Sequence, residues 1–164
     1  MADIVIIGVG NPQRSDDAAG WQAVMEAYPT LQDDNIEVLF RQELLPELAA
    51  PIARAVLVIF VDASVVVQPG EFREQRLEPE PAPARVFSHH MKPEALLRFA
   101  RDLYQGEPEA WLITVGVSSL QAGTTLTPRV QAAMGEVVYQ IHARITAFRH
   151  ARANILGTPP GAAA

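Results

Sequence analysis

Short runs of consecutive apolar residues alternate with segments of helical periodicity along the whole chain. Residues 4–7 and 55–61 are almost entirely β-branched or aliphatic, and residues 111–117 form a third apolar run. Continuous rather than alternating hydrophobicity is typical of strands that are buried on both faces of a parallel sheet. Because helical segments separate these runs, the sequence predicts an α/β fold, a three-layer sandwich with a mainly parallel, twisted sheet and helices on both faces.

The other elements are predicted from periodicity and from the positions of proline. Two further strands are predicted over residues 36–40 and 72–77, and helices over residues 18–28, 42–53, 93–104 and 128–149. Pro46 is a defect in the second helix unless the helix begins there. Thr127 and Pro128 are the expected N-cap and first residue of the last helix. Residues 1–150 are expected to form one α/β domain, and residues 151–164, which have no pattern, a mobile tail.

Composition excludes several kinds of function. The chain has 164 residues, a formal net charge of -6 and no cysteine. Without cysteine there are no disulfides, thiolate zinc sites or cysteine nucleophiles. The acidic balance, without a long basic run, argues against binding to nucleic acid or to an anionic membrane surface. No apolar run approaches the roughly 20 residues of a transmembrane helix, and the N-terminus lacks the charges of a signal peptide. We therefore expect a soluble, cytoplasmic protein.

The first strand ends in a glycine loop that resembles part of a nucleotide-binding motif. Gly8 and Gly10 lie between the strand and the helix, but the third glycine of a dinucleotide fingerprint is replaced by Gln13. The second strand ends in Arg41 rather than in an acid that would hold a ribose. The acidic pair at 16–17 would also repel a pyrophosphate. A Rossmann-like nucleotide-binding domain is therefore disfavoured. Two interpretations of the loop stay open: a tight turn with a capping aspartate, or a functional site.

Acidic residues follow two of the predicted strands. Asp17 lies in the loop after the first strand, and Asp62 directly follows the apolar run 55–61. The carboxyl ends of parallel strands meet at one edge of the sheet, where ligands of such folds bind. Taken alone, Asp62 is equally consistent with a purely structural role, in which it caps or stabilises the loop at the strand end. With one imidazole, from His89 or His90, the two carboxylates would form a site for a divalent transition metal. A histidine pair in a loop is otherwise exposed to solvent, as we expect of His142 and His150.

Taken in order, these motifs resemble those of the hydrogenase maturation protease family, the endopeptidases that trim the C-terminal extension of the large subunit of nickel-iron hydrogenases. The similarity covers about residues 3–148. The matching motifs are Gly8-Val9-Gly10-Asn11, Asp16-Asp17 with Gly20, Val61-Asp62-Ala63, Ser88-His89-His90-Met91 before Leu96-Leu97, Val115-Gly116-Val117, and Leu126-Thr127-Pro128.

The resemblance implies a function and a set of site residues. It implies an endopeptidase whose partner is the large-subunit precursor and which carries no tightly bound cofactor of its own. The nickel would be supplied by the substrate, and Asp17, Asp62 and His89 would be both its ligands and the catalytic residues of an aspartyl-type peptidase. His89 is preferred to His90 because a register without gaps then aligns Met91 and Leu96-Leu97 with the family's aliphatic positions.

The chain departs from the family pattern at two positions. Asp17 stands where relatives often have glutamate, and Ala18 stands where they often have glycine. Alanine is acceptable there if the backbone is helical, but not if φ must be positive. The role of Asp16 stays open between capping the helix, orienting Asp17 and lying in solvent. Three other functions also stay open: a non-enzymatic nickel-recognition or chaperone module, the nucleotide-binding domain, and a peptidase that acts on a different protein.

Overall fold

A computed structural model describes residues 2–81 and 91–157 of the chain. Five strands form one sheet in the order β2-β1-β3-β5-β4, in which only the edge strand β4 is antiparallel to its neighbour. The predicted α/β class with a mainly parallel sheet is confirmed. The strands are β1 (Ile4–Val9), β2 (Ile36–Arg41), β3 (Leu57–Ser64), β4 (Phe72–Leu77) and β5 (Glu109–Gly116).

Four α-helices cover the two faces of the sheet. They are α1 (Ala19–Ala27), α2 (Ala49–Arg54), α3 (Pro93–Tyr104) and α4 (Pro128–Ile155). Helices α1 and α4 pack on one face, where Ile6 and Ile59 point, whereas α2 and α3 pack on the other, with Val58 and Phe60. Adjacent strand residues point to opposite faces, so the uninterrupted apolar runs supply both layers of the core.

Two helices differ from their predicted bounds. Residues 42–45 are not helical, and a 3₁₀ turn over Pro46–Leu48 leads into α2. Proline has no amide hydrogen and suits a first helical turn, so the 3₁₀ turn that precedes α2 begins at Pro46, the residue that looked like a defect. The last helix continues to Ile155 instead of ending near residue 149, and the predicted domain boundary at residue 150 therefore falls inside it. Residues 158–164 of the predicted tail lie outside the described residues.

The topology creates a crevice between β1 and β3. From β1 the chain crosses to β2 on one side, whereas from β3 it continues to β4 and β5 on the other side. Ligands of open α/β sheets bind at such a switch point, beyond the carboxyl ends of the strands. Gly8 of β1 pairs with Val61 of β3, so that Asp62 lies next to the glycine loop. Among residues 2–81 and 91–157, no helix is long and apolar enough to cross a membrane.

Candidate active site

A cleft of about 540 Å³ opens beyond the carboxyl ends of β1 and β3. Both predicted carboxylates, Asp17 and Asp62, line it. Its walls come from the glycine loop, the end of β3, the segment between β2 and α2, and the start of α3. The other lining residues are Val9, Gly10, Asn11, Arg14, Gln42, Glu43, Leu44, Ala63, Met91, Lys92 and Pro93.

The glycine loop folds closely around the backbone of Asp17. Gly10 has φ of +146°, and a Cβ atom there would lie 2.0 Å from the Asp17 carbonyl oxygen. The Asn11 amide donates a hydrogen bond of 3.0 Å to Oδ2 of Asp17. Ala18 has φ of -76°, a right-handed helical value, which satisfies the condition under which alanine replaces glycine without strain. The loop therefore fixes the Asp17 carboxylate at the mouth of the cleft.

The same contacts weigh against nucleotide binding. In a dinucleotide-binding loop, backbone amides next to the glycines face the pyrophosphate. Here the Asn11 amide already donates to the Asp17 carboxylate, which lines the same cleft. A pyrophosphate at this position would have to displace one anion and approach another, Asp62, in a partly dehydrated site.

Asp62 is a carboxyl group that ionises less readily than an aspartate exposed to solvent. It lies near the end of β3, and its Oδ1 accepts a 2.7 Å hydrogen bond from the Ala63 amide. Burial raises its pKa to about 6, and the negative charge of Asp17 adds to this effect although the Ala63 hydrogen bond opposes it. The sequence predicted that Asp62 directly follows this strand. Instead β3 extends to Ser64, and Asp62 lies within it. The pair of carboxylates therefore favours a cation or a proton between them.

Replacing Asp62 by asparagine should stabilise the fold at alkaline pH. The pKa is 3.8 in the reference state and about 6 in the fold, so the stability that Asp62 contributes is complete below pH 3.8 and is lost as the pH rises through 6. Asparagine cannot ionise and keeps the Ala63 hydrogen bond. We expect Asp62→Asn to be more stable than the wild type by up to about 3 kcal/mol at pH 8, and by about half as much at pH 5.

Urea denaturation at the two pH values measures this difference. Asp33→Asn is the matched control, because hydrogen bonds from the Asn35 amide and from Arg149 lower the Asp33 pKa, so this replacement should destabilise. A lower stability of Asp62→Asn at pH 8 would contradict the burial of a charged carboxylate.

Asp16 has a different environment from Asp17, although the two residues are adjacent. Its side chain is fully buried and accepts five hydrogen bonds, all from Ser118, Ser119 and Thr127. Burial alone would raise its pKa, but the hydrogen bonds from Thr127, Ser118 and Ser119 together outweigh burial and lower it. Asp16 is therefore neither exposed nor a helix cap, two of the three roles that the sequence left open.

Thr127 is the N-cap residue of α4 by position but does not cap it with its side chain. Its backbone is extended, and Pro128 is the first helical residue, as predicted. However, the Thr127 hydroxyl donates to Asp16 over 2.9 Å instead of accepting from the first turn of α4. The residue links the start of the last helix to the glycine loop.

The third predicted site residue, His89, and its rival His90 lie outside the described residues. Within the described part of the chain, no group of three His, Asp or Glu side chains is arranged to hold a metal ion, and Asp17 and Asp62 line the cleft as a pair. His150 is exposed, as predicted, whereas His142 is half-buried and forms a 2.9 Å hydrogen bond with the Thr30 hydroxyl.

Several lining residues were not predicted from the sequence. Arg14 and Lys92 place two positive charges at the cleft, and Leu44 and Met91 contribute apolar surface. Lys92 precedes the predicted Pro93 start of α3, which was the available signal, because residues before the helices of α/β sheets gather at this edge. Arg14 had no comparable signal, since its position depends on the path of the loop.

Comparison with known proteins supports a peptidase fold. No protein-family model matches the sequence. A search of curated proteins also finds no match. Among solved structures, the chain is similar to the hydrogenase maturating endopeptidase HybD from E. coli, with 27% identity, a TM-score of 0.69 and coverage of 89% of this chain and 93% of that one.

Two further structures agree with this match. An endopeptidase from Escherichia coli is 26% identical, with a TM-score of 0.67 and coverage of 87% and 91%. The nickel-iron hydrogenase maturation protease HycI from Thermococcus kodakarensis is 22% identical, with a TM-score of 0.69 and coverage of 85% and 90%, and supports the fold alone. The glycine loop and the two aspartates at the switch point are among the motifs on which the sequence resemblance to this family rests. The chain therefore has the fold of the hydrogenase maturation proteases, and its similarity to HybD and to the second E. coli endopeptidase supports a peptidase.

Proposed function

We propose that this peptidase removes the C-terminal extension of a nickel-loaded hydrogenase large-subunit precursor. Asp17, Asp62 and His89 contact the nickel that the precursor carries, and cleavage therefore reports that the metal has been inserted. The proposal is supported by the similarity to a hydrogenase maturating endopeptidase at 27% identity over 89% of the chain. The sequence motifs that contain the three residues, which follow one another in the same order as in the protease family, support it as well.

The observation that carries the proposal is the carboxylate pair in the cleft. Asp17 and Asp62 line one cavity, and the charge of Asp17 contributes to the raised Asp62 pKa. A divalent cation that approaches the pair neutralises their repulsion and lowers the Asp62 pKa, so metal contact releases the Asp62 proton. Metal contact is therefore disfavoured below about pH 6, where Asp62 holds its proton.

The third ligand is proposed from its place in the chain. Met91 and Lys92 line the cleft, and His89 precedes Met91 by two residues. A neutral imidazole beside two carboxylates is a suitable incomplete ligand set for nickel that the thiolates of a substrate already hold. Peptide hydrolysis next to the metal gains from polarisation of the scissile carbonyl.

Cleavage assays on two forms of one precursor test this function. We expect the purified protein to shorten the nickel-loaded large-subunit precursor and to leave the nickel-free precursor intact. Electrophoresis and intact mass spectrometry measure the change in length. Cleavage of both forms at equal rates would contradict recognition of the metal, and binding of the loaded form without cleavage would favour a nickel-recognition module instead.

The two neighbouring histidines can be separated by single replacements. We expect His89→Ala to lose processing of the nickel-loaded precursor by at least about 100-fold, because one ligand of the metal is missing. His90→Ala is the matched control and should retain processing. Initial rates of precursor shortening measure both. A loss confined to His90→Ala would assign the ligand to His90 instead.

A further inference from the structure

The buried carboxylate of Asp16 connects two loops that are more than a hundred residues apart in sequence. Oδ1 accepts from the Thr127 amide over 2.7 Å, and Oδ2 accepts from the amides of Ser118 and Ser119, each over 3.0 Å. The Ser118 and Thr127 hydroxyls donate to the same Oδ2 over 3.1 Å and 2.9 Å. All five donors thus belong to the segment between β5 and α4, which we call the 118–127 loop.

Backbone contacts join the same two loops around this carboxylate. The Asp16 amide donates to the Ser119 carbonyl over 3.1 Å, and the Ser15 amide donates to the Gly123 carbonyl over 2.9 Å. The Gly123 amide in turn donates to the Gln13 carbonyl over 2.9 Å. Arg14 adds a 3.3 Å hydrogen bond from Nε to the Leu120 carbonyl. The glycine loop and the 118–127 loop are therefore one connected unit.

This unit holds the backbone from which the Asp17 side chain extends. Asp16 and Asp17 share one 3₁₀ turn, Ser15–Ala18, so that fixing one residue restricts the next. The turn begins at Ser15 with φ of +47°, an uncommon value for a residue other than glycine. The hydrogen bonds of Ser15 and Asp16 to the 118–127 loop hold this turn in its strained conformation.

A buried carboxylate is a costly way to connect two loops. Removing an ionised group from water is unfavourable and is compensated here only by the five hydrogen bonds. Apolar contacts could stabilise such a junction as well, but they are not directional. Hydrogen bonds to one carboxylate fix both distance and direction, which a site built from adjacent loops requires.

We propose that Asp16 is a positioning residue of the peptidase, which keeps Asp17 facing Asp62 by locking the glycine loop to the 118–127 loop. The proposal deepens the proposed function, since it assumes that Asp17 acts in the reaction. Asp16 itself contacts neither substrate nor metal. Its side chain acts only through the loop donors and the adjacent backbone.

Asp16→Asn tests the proposal because it preserves size but replaces one acceptor by a donor. All five partners donate, so the asparagine Nδ2 group must face at least one N–H or O–H group. We expect kcat for the nickel-loaded precursor to fall by about 10- to 100-fold, with KM changed far less. Asp33→Asn, an aspartate paired with Arg149 elsewhere on the surface, is the matched control and should leave both constants unchanged.

The Asn11 amide reports the position of Asp17 without any substrate. It donates to Asp17 Oδ2 over 3.0 Å, so its NMR chemical shift and its hydrogen exchange depend on that carboxylate. We expect the Asn11 resonance of Asp16→Asn to move towards the position found in Asp17→Asn. An unchanged Asn11 resonance in folded Asp16→Asn would overturn the proposal. Because this measurement needs no precursor, it decides the proposal even if the protein fails to process a hydrogenase precursor.

A milder pair of variants covers the case in which Asp16→Asn does not fold. Thr127→Val removes one hydroxyl donor to Asp16 and keeps the side-chain size, whereas Thr127→Ser keeps the donor. We expect the valine variant to shift the Asn11 resonance and lower kcat, and the serine variant to resemble the wild type. Equal behaviour of the two variants, without an Asn11 shift, would also overturn the proposal.

Discussion

Asp62→Asn is expected to process the nickel-loaded precursor at least about 1,000-fold more slowly than the wild type while it remains folded. Asparagine cannot supply the negative charge that a cation between the two carboxylates requires, although it preserves the shape of the side chain and its bond from the Ala63 amide. The initial rate of precursor shortening measures the loss. Glu43→Gln removes a different carboxylate from the same cleft and should retain processing.

The same replacement should make the protein more stable at alkaline pH, as derived above, so loss of activity and gain of stability would occur together. This combination is characteristic of residues that are retained for function at a cost in stability. Wild-type rates for Asp62→Asn would contradict its assignment to the site. A variant that is inactive and also less stable at pH 8 would instead indicate that Asp62 supports the fold.

Gly10→Ala is expected to destabilise the protein by about 3 kcal/mol or more and to remove processing activity. The new Cβ atom would lie 2.0 Å from the Asp17 carbonyl oxygen, and φ of +146° is unfavourable for alanine. The turn can accept the side chain only if the backbone of Asp17 moves. Because that backbone also carries the cleft carboxylate, stability and activity should fall together.

Gly135→Ala provides the matched control for this prediction. Gly135 lies in the exposed part of α4, and no atom lies within 4 Å of a Cβ atom added there. We therefore expect it to stabilise the fold by about 1 kcal/mol through helix propensity alone. Thermal and urea denaturation measure both variants. Equal stability of Gly10→Ala and the wild type would show that the loop does not adopt the close approach described here.

The approach of Asp17 to Asp62 could be predicted because it depends on sheet topology. Each aspartate follows an apolar run, and parallel strands bring such positions to one edge. The pKa of Asp62 could not be predicted, since it depends on which segments cover the carboxyl group. The walls of the cleft that face it, the segment between β2 and α2 and the start of α3, are remote in sequence and are brought there only by the packed fold.

The adjacent residues Asp16 and Asp17 show most clearly what the sequence determines and what only the tertiary structure decides. The sequence alone determined the α/β class, the glycine turn and the presence of an acidic pair at its end, since local periodicity and residue type are sufficient for them. The resemblance to the protease family assigned Asp17 to the site, but the role of Asp16 stayed open because residue type and spacing do not show what surrounds a side chain. Only the tertiary structure decided that Asp16 is buried under Ser118, Ser119 and Thr127 while Asp17 lines the cleft. The physical reason is that the environment of a buried carboxylate is set by its hydrogen-bond donors, and here these donors lie more than a hundred residues away in sequence.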